Sequence, residues 1–156
     1  MAETPGRAAG AFTWVALVFS GGLLGGAIVN FLVPLPIWPG AWIRVAGLAP
    51  LAVGIWLLAW ARAAFRRHKT ALMPWTPSAE LVSDGPFGFT RNPVYLSFLL
   101  MYLSASLFFD SAYILVVLVV VLVLFDRTQI PREERYLERK FGNEYRAYKA
   151  RVRRWI

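Results

Sequence analysis

Two polar stretches carry the residue types that could bind or position a polar ligand. The first is the turn-rich interruption ELVSDGPFGFTRNPVY, Glu80 to Tyr95, between hydrophobic blocks. Pro93 has no N–H to donate and suits the first turn of a following helix, which Asn92 can cap. A helix start with free N–H donors attracts negative or polar groups, so this turn predicts a ligand-binding helix mouth that presents Arg91. The plain alternative is a connecting loop, with Arg91 anchored at lipid headgroups.

The second polar stretch runs from Arg127 to Leu137. Pro131 suits a helix start, and Glu133 and Glu134 would lie in its first turn, where negative charge is favoured. The plain alternative is that these carboxylates are only part of a solvated helix face. If residues 94–125 form a hairpin, its ends meet, and both polar stretches build one half-polar, half-apolar pocket.

Composition identifies the chain as an integral membrane protein. Of its 156 residues, 58% are hydrophobic, and these are gathered into blocks. The net charge of +8 would favour nucleic acid in a soluble protein, but here the basic residues flank apolar spans and favour anionic lipid headgroups. We therefore expect membrane lipids as partners and no nucleic acid. There are no cysteines, which excludes disulfides and thiolate metal sites.

The hydrophobic blocks predict an all-α fold, a polytopic membrane helical bundle with about four transmembrane helices. A single helix over 94–125 would exceed a hydrocarbon core of ~30 Å, so Asp110 and Ser111 are predicted to turn it into a hairpin. We expect residues 1–10 to be frayed. The predicted spans are 11–33, 41–61, 94–109 and 111–126. Glycines within the first span predict close helix packing: Gly21, Gly22, Gly25 and Gly26.

The remaining segments are a loop, 62–93, and a charged tail, 127–156. The tail has a stripe of apolar and aromatic residues at helical spacing, which predicts an amphipathic helix. Gly142 weakens its middle, so we expect one bent helix or two short ones. The stripe consists of Leu137, Phe141, Tyr145, Tyr148, Val152 and Trp155.

The basic residues predict the topology. With four crossings, the N-terminus, the loop and the tail share one side and carry sixteen of the seventeen Lys and Arg residues, with Arg44 opposite. The positive-inside rule then places both termini and the turn before Pro93 in the cytoplasm, with the chain as a multi-pass protein of the inner or cytoplasmic membrane.

Five motifs occur in a fixed order over more than half of the chain. They are Gly85-Pro86-Phe87, Arg91-Asn92-Pro93-Val94-Tyr95, Glu133-Glu134-x-x-Leu137, Phe141-Gly142-x-x-Tyr145-x-x-Tyr148 and Val152-x-Arg154. In this ordered set, from about Phe65 to Trp155, the chain resembles the integral-membrane methyltransferases related to isoprenylcysteine carboxyl methyltransferase and the phospholipid methyltransferases. The first two spans carry no comparable motif.

The resemblance implies S-adenosylmethionine as methyl donor, with no Rossmann glycine loop and no metal. By that resemblance, Leu81, Val82 and Phe87 would line the cofactor site, and Glu133 would bind polar groups of the cofactor. The candidate catalytic residues are Arg127, Gln129 and Glu134. The residues that would hold the cofactor directly are Arg91, Asn92, Pro93, Val94 and Tyr95.

One departure leaves the acceptor open. The arginine that faces the substrate carboxylate in the eukaryotic isoprenylcysteine enzymes falls at Gln129, although Arg127 or Arg132 could substitute for it. The acceptor is then a lipophilic small molecule or a lipid, including a phospholipid amine. The alternative from another class is a non-catalytic, lipid-binding membrane protein of the same fold.

Overall fold

The computed structural model describes residues 5–38, 40–68 and 80–156, with the side chains of the first helix described from Leu17 onward. Regular structure within these ranges is helical, as predicted. A short 3-10 turn, Gly85–Gly88, precedes α4, and a π-helical turn, Phe125–Gln129, joins α5 to α6. The helices are α1 (Pro5–Leu32), α2 (Trp42–Ala46), α3 (Leu48–Arg67), α4 (Pro93–Phe108), α5 (Ala112–Leu124), α6 (Ile130–Phe141) and α7 (Asn143–Arg151).

Two of the described helical stretches, Trp42–Arg67 and Ala112–Phe141, are long and apolar enough to cross a membrane. Only 22% and 28% of their most apolar windows is buried inside the protein, so most of that surface faces outward, as lipid contact requires. Two shorter apolar helices are Leu17–Leu32 and Pro93–Phe108. The chain is thus a helical protein of membrane type, and the count of four spans stays a prediction.

Several helix boundaries differ from the predicted ones. Residues 5–10, expected to be frayed, belong to α1, and α3 continues to Arg67 instead of ending at 61. Alanine and arginine are good helix formers, so nothing between 61 and 67 stops the helix, and Arg62 and Arg66 extend from it. The rest of the predicted loop, including Lys69, falls partly on 69–79, which lies outside the described residues.

Small residues let the helices approach closely. α3 packs on α4, α4 on α5, and α5 on α1. A Cβ built on Gly54 of α3 would lie 2.9 Å from the backbone oxygen of Ser97 on α4. On α1, a Cβ built on Gly22 or Gly26 would meet side chains of α5, whereas one built on Gly21 or Gly25 would have no atom of the described residues within 4 Å. The predicted packing role is therefore confirmed for Gly22 and Gly26 only.

The predicted hairpin turn at Asp110 and Ser111 is confirmed. Asp110 has a positive φ of 46°, and its Oδ1 accepts hydrogen bonds from the backbone N–H groups of Ile37 (2.8 Å) and Trp38 (3.3 Å). Ser111 caps α5 by accepting from the N–H of Ile114 at 3.3 Å. The turn is thus tied to the connection between α1 and α2.

The tail forms two short helices, one of the two predicted outcomes. Gly142, at φ +56°, separates α6 from α7. The π-helical turn carries the chain from α5 into α6 without a break, and Pro131 and Glu133 lie in the first turn of α6, as predicted. Most of the apolar stripe packs on α3 and the 3-10 turn, through Leu137, Phe141, Tyr145, Tyr148 and Val152.

Candidate functional site

The turn before α4 is docked on the C-terminal segment. The Thr90 hydroxyl and the Asn92 side-chain amide both donate to the carbonyl of Arg154, at 3.2 and 3.0 Å. The backbone N–H of Arg91 donates to the carbonyl of Arg153 at 3.0 Å. The prediction that Asn92 caps α4 is wrong, because its amide is engaged with Arg154 and makes no capping hydrogen bond. The N–H groups at the start of α4 therefore have no side-chain cap.

Glu133 lies opposite this helix start and is half-buried. Its Oε1 accepts hydrogen bonds from the Tyr95 hydroxyl at 2.5 Å and from Gln129 Nε2 at 3.0 Å. The Tyr95 ring rests on Phe125, with centroids 5.5 Å apart, which fixes the hydroxyl's direction. In the part of the chain that the structure describes, Oε2 of Glu133 receives no hydrogen bond, so the carboxylate retains an acceptor for a ligand.

Glu134, the adjacent carboxylate, is surrounded by arginines. Its Oε1 lies 3.0 Å from Arg91 Nη1, and Arg154 donates to both oxygens, at 3.1 Å from Nε and 2.8 Å from Nη2. The side chains of Glu134 and Arg91 are each only 10% exposed, so this pairing is shielded from water. The predicted proximity of the two polar stretches is confirmed by the contact between Arg91 and Glu134.

Arg154 also reaches the end of α5. Its Nη1 donates to Asp126 Oδ1 at 3.1 Å, and the Trp155 indole N–H donates to the same oxygen at 3.0 Å. Charge-assisted bonds of this kind are stronger than neutral ones. One connected network therefore joins the turn, α6, the end of α5 and the C-terminal segment.

The three apolar residues predicted to line a cofactor site belong to a packed cluster. Leu81, Val82 and Phe87 are all buried against α3 and the tail. The Phe87 carbonyl accepts a hydrogen bond of 2.9 Å from the Tyr148 hydroxyl, and its ring packs against Phe65. These side chains therefore support the turn before α4 through the apolar core.

A charge cluster ties the end of α3 to the start of the turn. His68 Nδ1 lies 3.0 Å from a Glu80 oxygen, and its Nε2 lies 2.9 Å from Asp84 Oδ1. Hydrogen bonds with Glu80 and then Asp84 raise the pKa of His68 above its ordinary value of 6.5. Partial burial opposes ionisation of Asp84, but hydrogen bonds from His68 and Arg67 outweigh it and lower the pKa of this carboxyl. The cluster therefore connects residue 68 directly to residues 80 and 84.

An open groove of about 430 Å³ runs between α4 and α5. Its mouth carries Asp126, Trp155 and Arg127, whose side chain is 81% exposed and lies 4.0 Å from Asp126. The volume falls within the range usual for ligand pockets, ~300–1,000 Å³. Its apolar walls are Leu96, Leu99, Leu122 and Val123.

The structure distributes the predicted site residues over different environments. Tyr95, Gln129 and Glu133 meet directly, and Arg91 joins Glu134, whereas Arg127 lies apart at the groove mouth. Sequence reasoning assigned no role in ligand binding or catalysis to Thr90, Asp126, Arg154 or Trp155. Arg154 lies in the last of the five motifs, and that spacing was the signal that could have identified it.

The helical architecture, the outward-facing apolar surface and the polar cluster at the helix ends define a membrane-type helical protein with a candidate ligand-binding site. The chain belongs to the phospholipid methyltransferase family, whose family model matches residues 42–144. An uncharacterized protein of Haemophilus influenzae is 43% identical over 63 residues, which are 40% of this chain and all of that relative. No solved structure matches the chain. The family match includes the turn and both glutamates and ends before Tyr145.

Proposed function

We propose that this protein is an S-adenosylmethionine-dependent methyltransferase that methylates a lipophilic acceptor at the cytoplasmic membrane interface, in the manner of isoprenylcysteine carboxyl methyltransferases. Membership of the phospholipid methyltransferase family supports the reaction class. The observation that carries the proposal is that Oε2 of Glu133 receives no hydrogen bond from the described residues and lies beside the start of α4, which no described side chain caps.

The residues present fit this cofactor. Glu133 Oε2 can accept a hydrogen bond from a ribose hydroxyl or from the ammonium group. The N–H groups at the start of α4, next to Pro93 and Val94, suit the cofactor's carboxylate. The aromatic face of Tyr95 would favour a sulfonium cation. Three residues would support the cofactor-binding turn indirectly, because they are buried in the apolar cluster: Leu81, Val82 and Phe87.

When bound, the cofactor would supply an electrophilic methyl group for an in-line displacement by the acceptor. Positioning and exclusion of water then dominate catalysis, and no strong acid or base is needed. Gln129 and Tyr95 hold Glu133 in one orientation, while Arg91 and Asn92 fix the turn against the C-terminal segment. Since the Glu134 oxygens face Arg91 and Arg154, we assign Glu134 a positioning role in place of direct catalysis.

The groove between α4 and α5 is our proposed approach for the acceptor. Its apolar walls suit a hydrocarbon chain, and Arg127 at its mouth suits an anionic group on the acceptor. The predicted topology supports this scheme, since it brings the water-soluble cofactor from the cytoplasm and the acceptor from the bilayer.

A phospholipid amine is the second candidate acceptor. It is favoured by the family and by Gln129, a neutral and buried side chain where a carboxylate-binding arginine was expected. The remaining alternative is a non-catalytic lipid-binding protein of the same fold.

Calorimetric titration of the purified protein with S-adenosylmethionine tests the cofactor site. We expect wild type to bind and Glu133→Ala to lose at least about tenfold in affinity, since the lost bond is charge-assisted. Glu138→Ala is the matched control, because Glu138 pairs with Arg146 on the surface of α6 and α7. Absence of binding by wild type in lipid would overturn the cofactor assignment.

Transfer of a labelled methyl group to a membrane lipid extract separates the alternatives. A labelled carboxyl ester or a labelled amine headgroup identifies the acceptor class. Cofactor binding with no transfer to any lipid fraction would favour the non-catalytic alternative.

A further inference from the structure

The last residues of the chain contact both parts of the proposed site. The carbonyls of Arg153 and Arg154 accept three hydrogen bonds from the turn before α4. Trp155 lines the groove between α4 and α5. Both contacts involve a segment that lies beyond the residues matched by the family.

We propose that the C-terminal segment, residues 152–155, is a working element of the site, in which Arg154 positions the cofactor turn and Trp155 forms one wall of the acceptor groove. This inference rests on the proposed function and deepens it. It assigns a positioning residue and an acceptor-contacting residue for the same reaction.

The guanidinium of Arg154 uses three nitrogens. Nε and Nη2 bind Glu134, and Nη1 binds Asp126. Glu134 in turn pairs with Arg91, so Arg154 links the turn to α6, the helix that carries Glu133. Lysine presents a single ammonium and cannot reproduce a planar fork that binds two carboxylates. The distance between the start of α4 and Glu133 therefore depends on the guanidinium itself.

Trp155 is oriented by the same carboxylate. Its indole N–H and Arg154 Nη1 share Asp126 Oδ1, and Trp155 lines the groove together with Leu99 and Val123. An indole offers a large apolar face with one polar edge, which suits the boundary between an apolar chain and a polar headgroup. Asp126 thus connects the groove, through Trp155, with the turn before α4, through Arg154.

The first experiment measures S-adenosylmethionine affinity of full-length Arg154→Met, Arg154→Lys and the matched control Arg151→Met in detergent. Arg151 is an exposed arginine at the end of α7, outside the segment 152–155. We expect about tenfold weaker binding for Arg154→Met, little rescue by Arg154→Lys, and wild-type affinity for Arg151→Met. Glu134→Gln should also weaken S-adenosylmethionine binding. The loss of affinity in the double variant of Arg154→Met and Glu134→Gln should be smaller than the sum of the two single losses, expressed as free energies, because both changes remove the same contact.

The second experiment uses a phosphatidylethanolamine with a photoactivatable acyl chain, in vesicles of phosphatidylethanolamine and phosphatidylglycerol, with mass spectrometry of the labelled residues. We expect labels on Leu96, Leu99 and Val123, and a several-fold loss of these labels in Trp155→Ala. Cofactor affinity of this variant should stay near wild type, because Arg154 keeps both bonds to Glu134. Trp38→Ala, an exposed tryptophan in the connection between α1 and α2, is the control.

The outcomes are distinguishable. If wild type fails to bind the cofactor, the proposed function falls and this inference with it. If wild type binds and Arg154→Met, shown to be folded by its thermal transition, binds equally well, only the positioning role is overturned. If Arg154→Met does not fold, Arg154→Lys decides, and its wild-type affinity overturns the requirement for a guanidinium. Unchanged groove labelling in Trp155→Ala overturns the assignment of the groove wall.

Discussion

Arg154 holds Glu134 through two hydrogen bonds, from Nε to Oε1 at 3.1 Å and from Nη2 to Oε2 at 2.8 Å. In the described part of the chain, the adjacent Glu133 accepts hydrogen bonds from Tyr95 and Gln129, both on a single oxygen. Two neighbouring carboxylates on one helix therefore have different environments. Glu134 faces cations, whereas Glu133 has one oxygen that no described residue occupies and that could bind a ligand.

Tyr95→Phe should weaken cofactor binding while leaving the fold intact. The change keeps the ring that packs on Phe125 but removes the 2.5 Å hydrogen bond to Glu133, which then loses its orientation. We expect a loss of about tenfold or more in S-adenosylmethionine affinity, corresponding to roughly 1.5–3 kcal/mol for a bond to a charged group. Calorimetry checks this, with Tyr136→Phe on α6 as the control. Equal affinities for Tyr95→Phe and wild type would contradict the role of the hydroxyl.

His68 should titrate above its ordinary pKa. The raised value means that the stabilising pairs with Glu80 and Asp84 are fully present below pH 6.5 and are lost as the pH rises through the folded-state pKa. The pKa is measurable by NMR on the single histidine. In Glu80→Gln it should fall back toward the ordinary value. A pKa at or below 6.5 in wild type would show that the cluster does not form.

Gly54→Val should destabilise the protein. A Cβ at Gly54 would lie 2.9 Å from the Ser97 backbone oxygen, which cannot move without displacing α4. Overpacking of this kind costs about 1–3 kcal/mol, so the thermal unfolding midpoint in detergent should drop. Gly25→Val on α1 is the control, because a Cβ there has nothing within 4 Å. Similar midpoints for both variants would contradict the close contact between α3 and α4.

Tyr148→Phe should also lower the unfolding midpoint. Its hydroxyl donates at 2.9 Å to the Phe87 carbonyl, and both residues are buried, so the carbonyl would be left without this donor. An unsatisfied buried acceptor costs about 1–3 kcal/mol. The unfolding midpoint and the S-adenosylmethionine affinity of the variant should both be compared with those of wild type, since Phe87 supports the turn before α4 through the apolar core. Wild-type stability would show that water replaces the hydroxyl.

Local chemistry determined much of this protein in advance. The outward-facing apolar helices follow from blocks of hydrophobic residues, since their side chains can only be covered by lipid or by another apolar surface. Asp110 and Ser111 turn the hairpin because short polar side chains form turns and caps locally. The five ordered motifs identified the family that the residues 42–144 then matched.

Only the tertiary structure determined which partner each polar side chain binds. Asn92 satisfies every local rule for a helix cap, yet its amide binds the Arg154 carbonyl, a partner 62 residues away. Glu133 and Glu134 are equivalent by sequence, but the helix turns them about a quarter-circle apart, so one meets Tyr95 and the other meets two arginines. Such choices depend on which distant groups packing brings within hydrogen-bond range, and the residue types by themselves do not specify them.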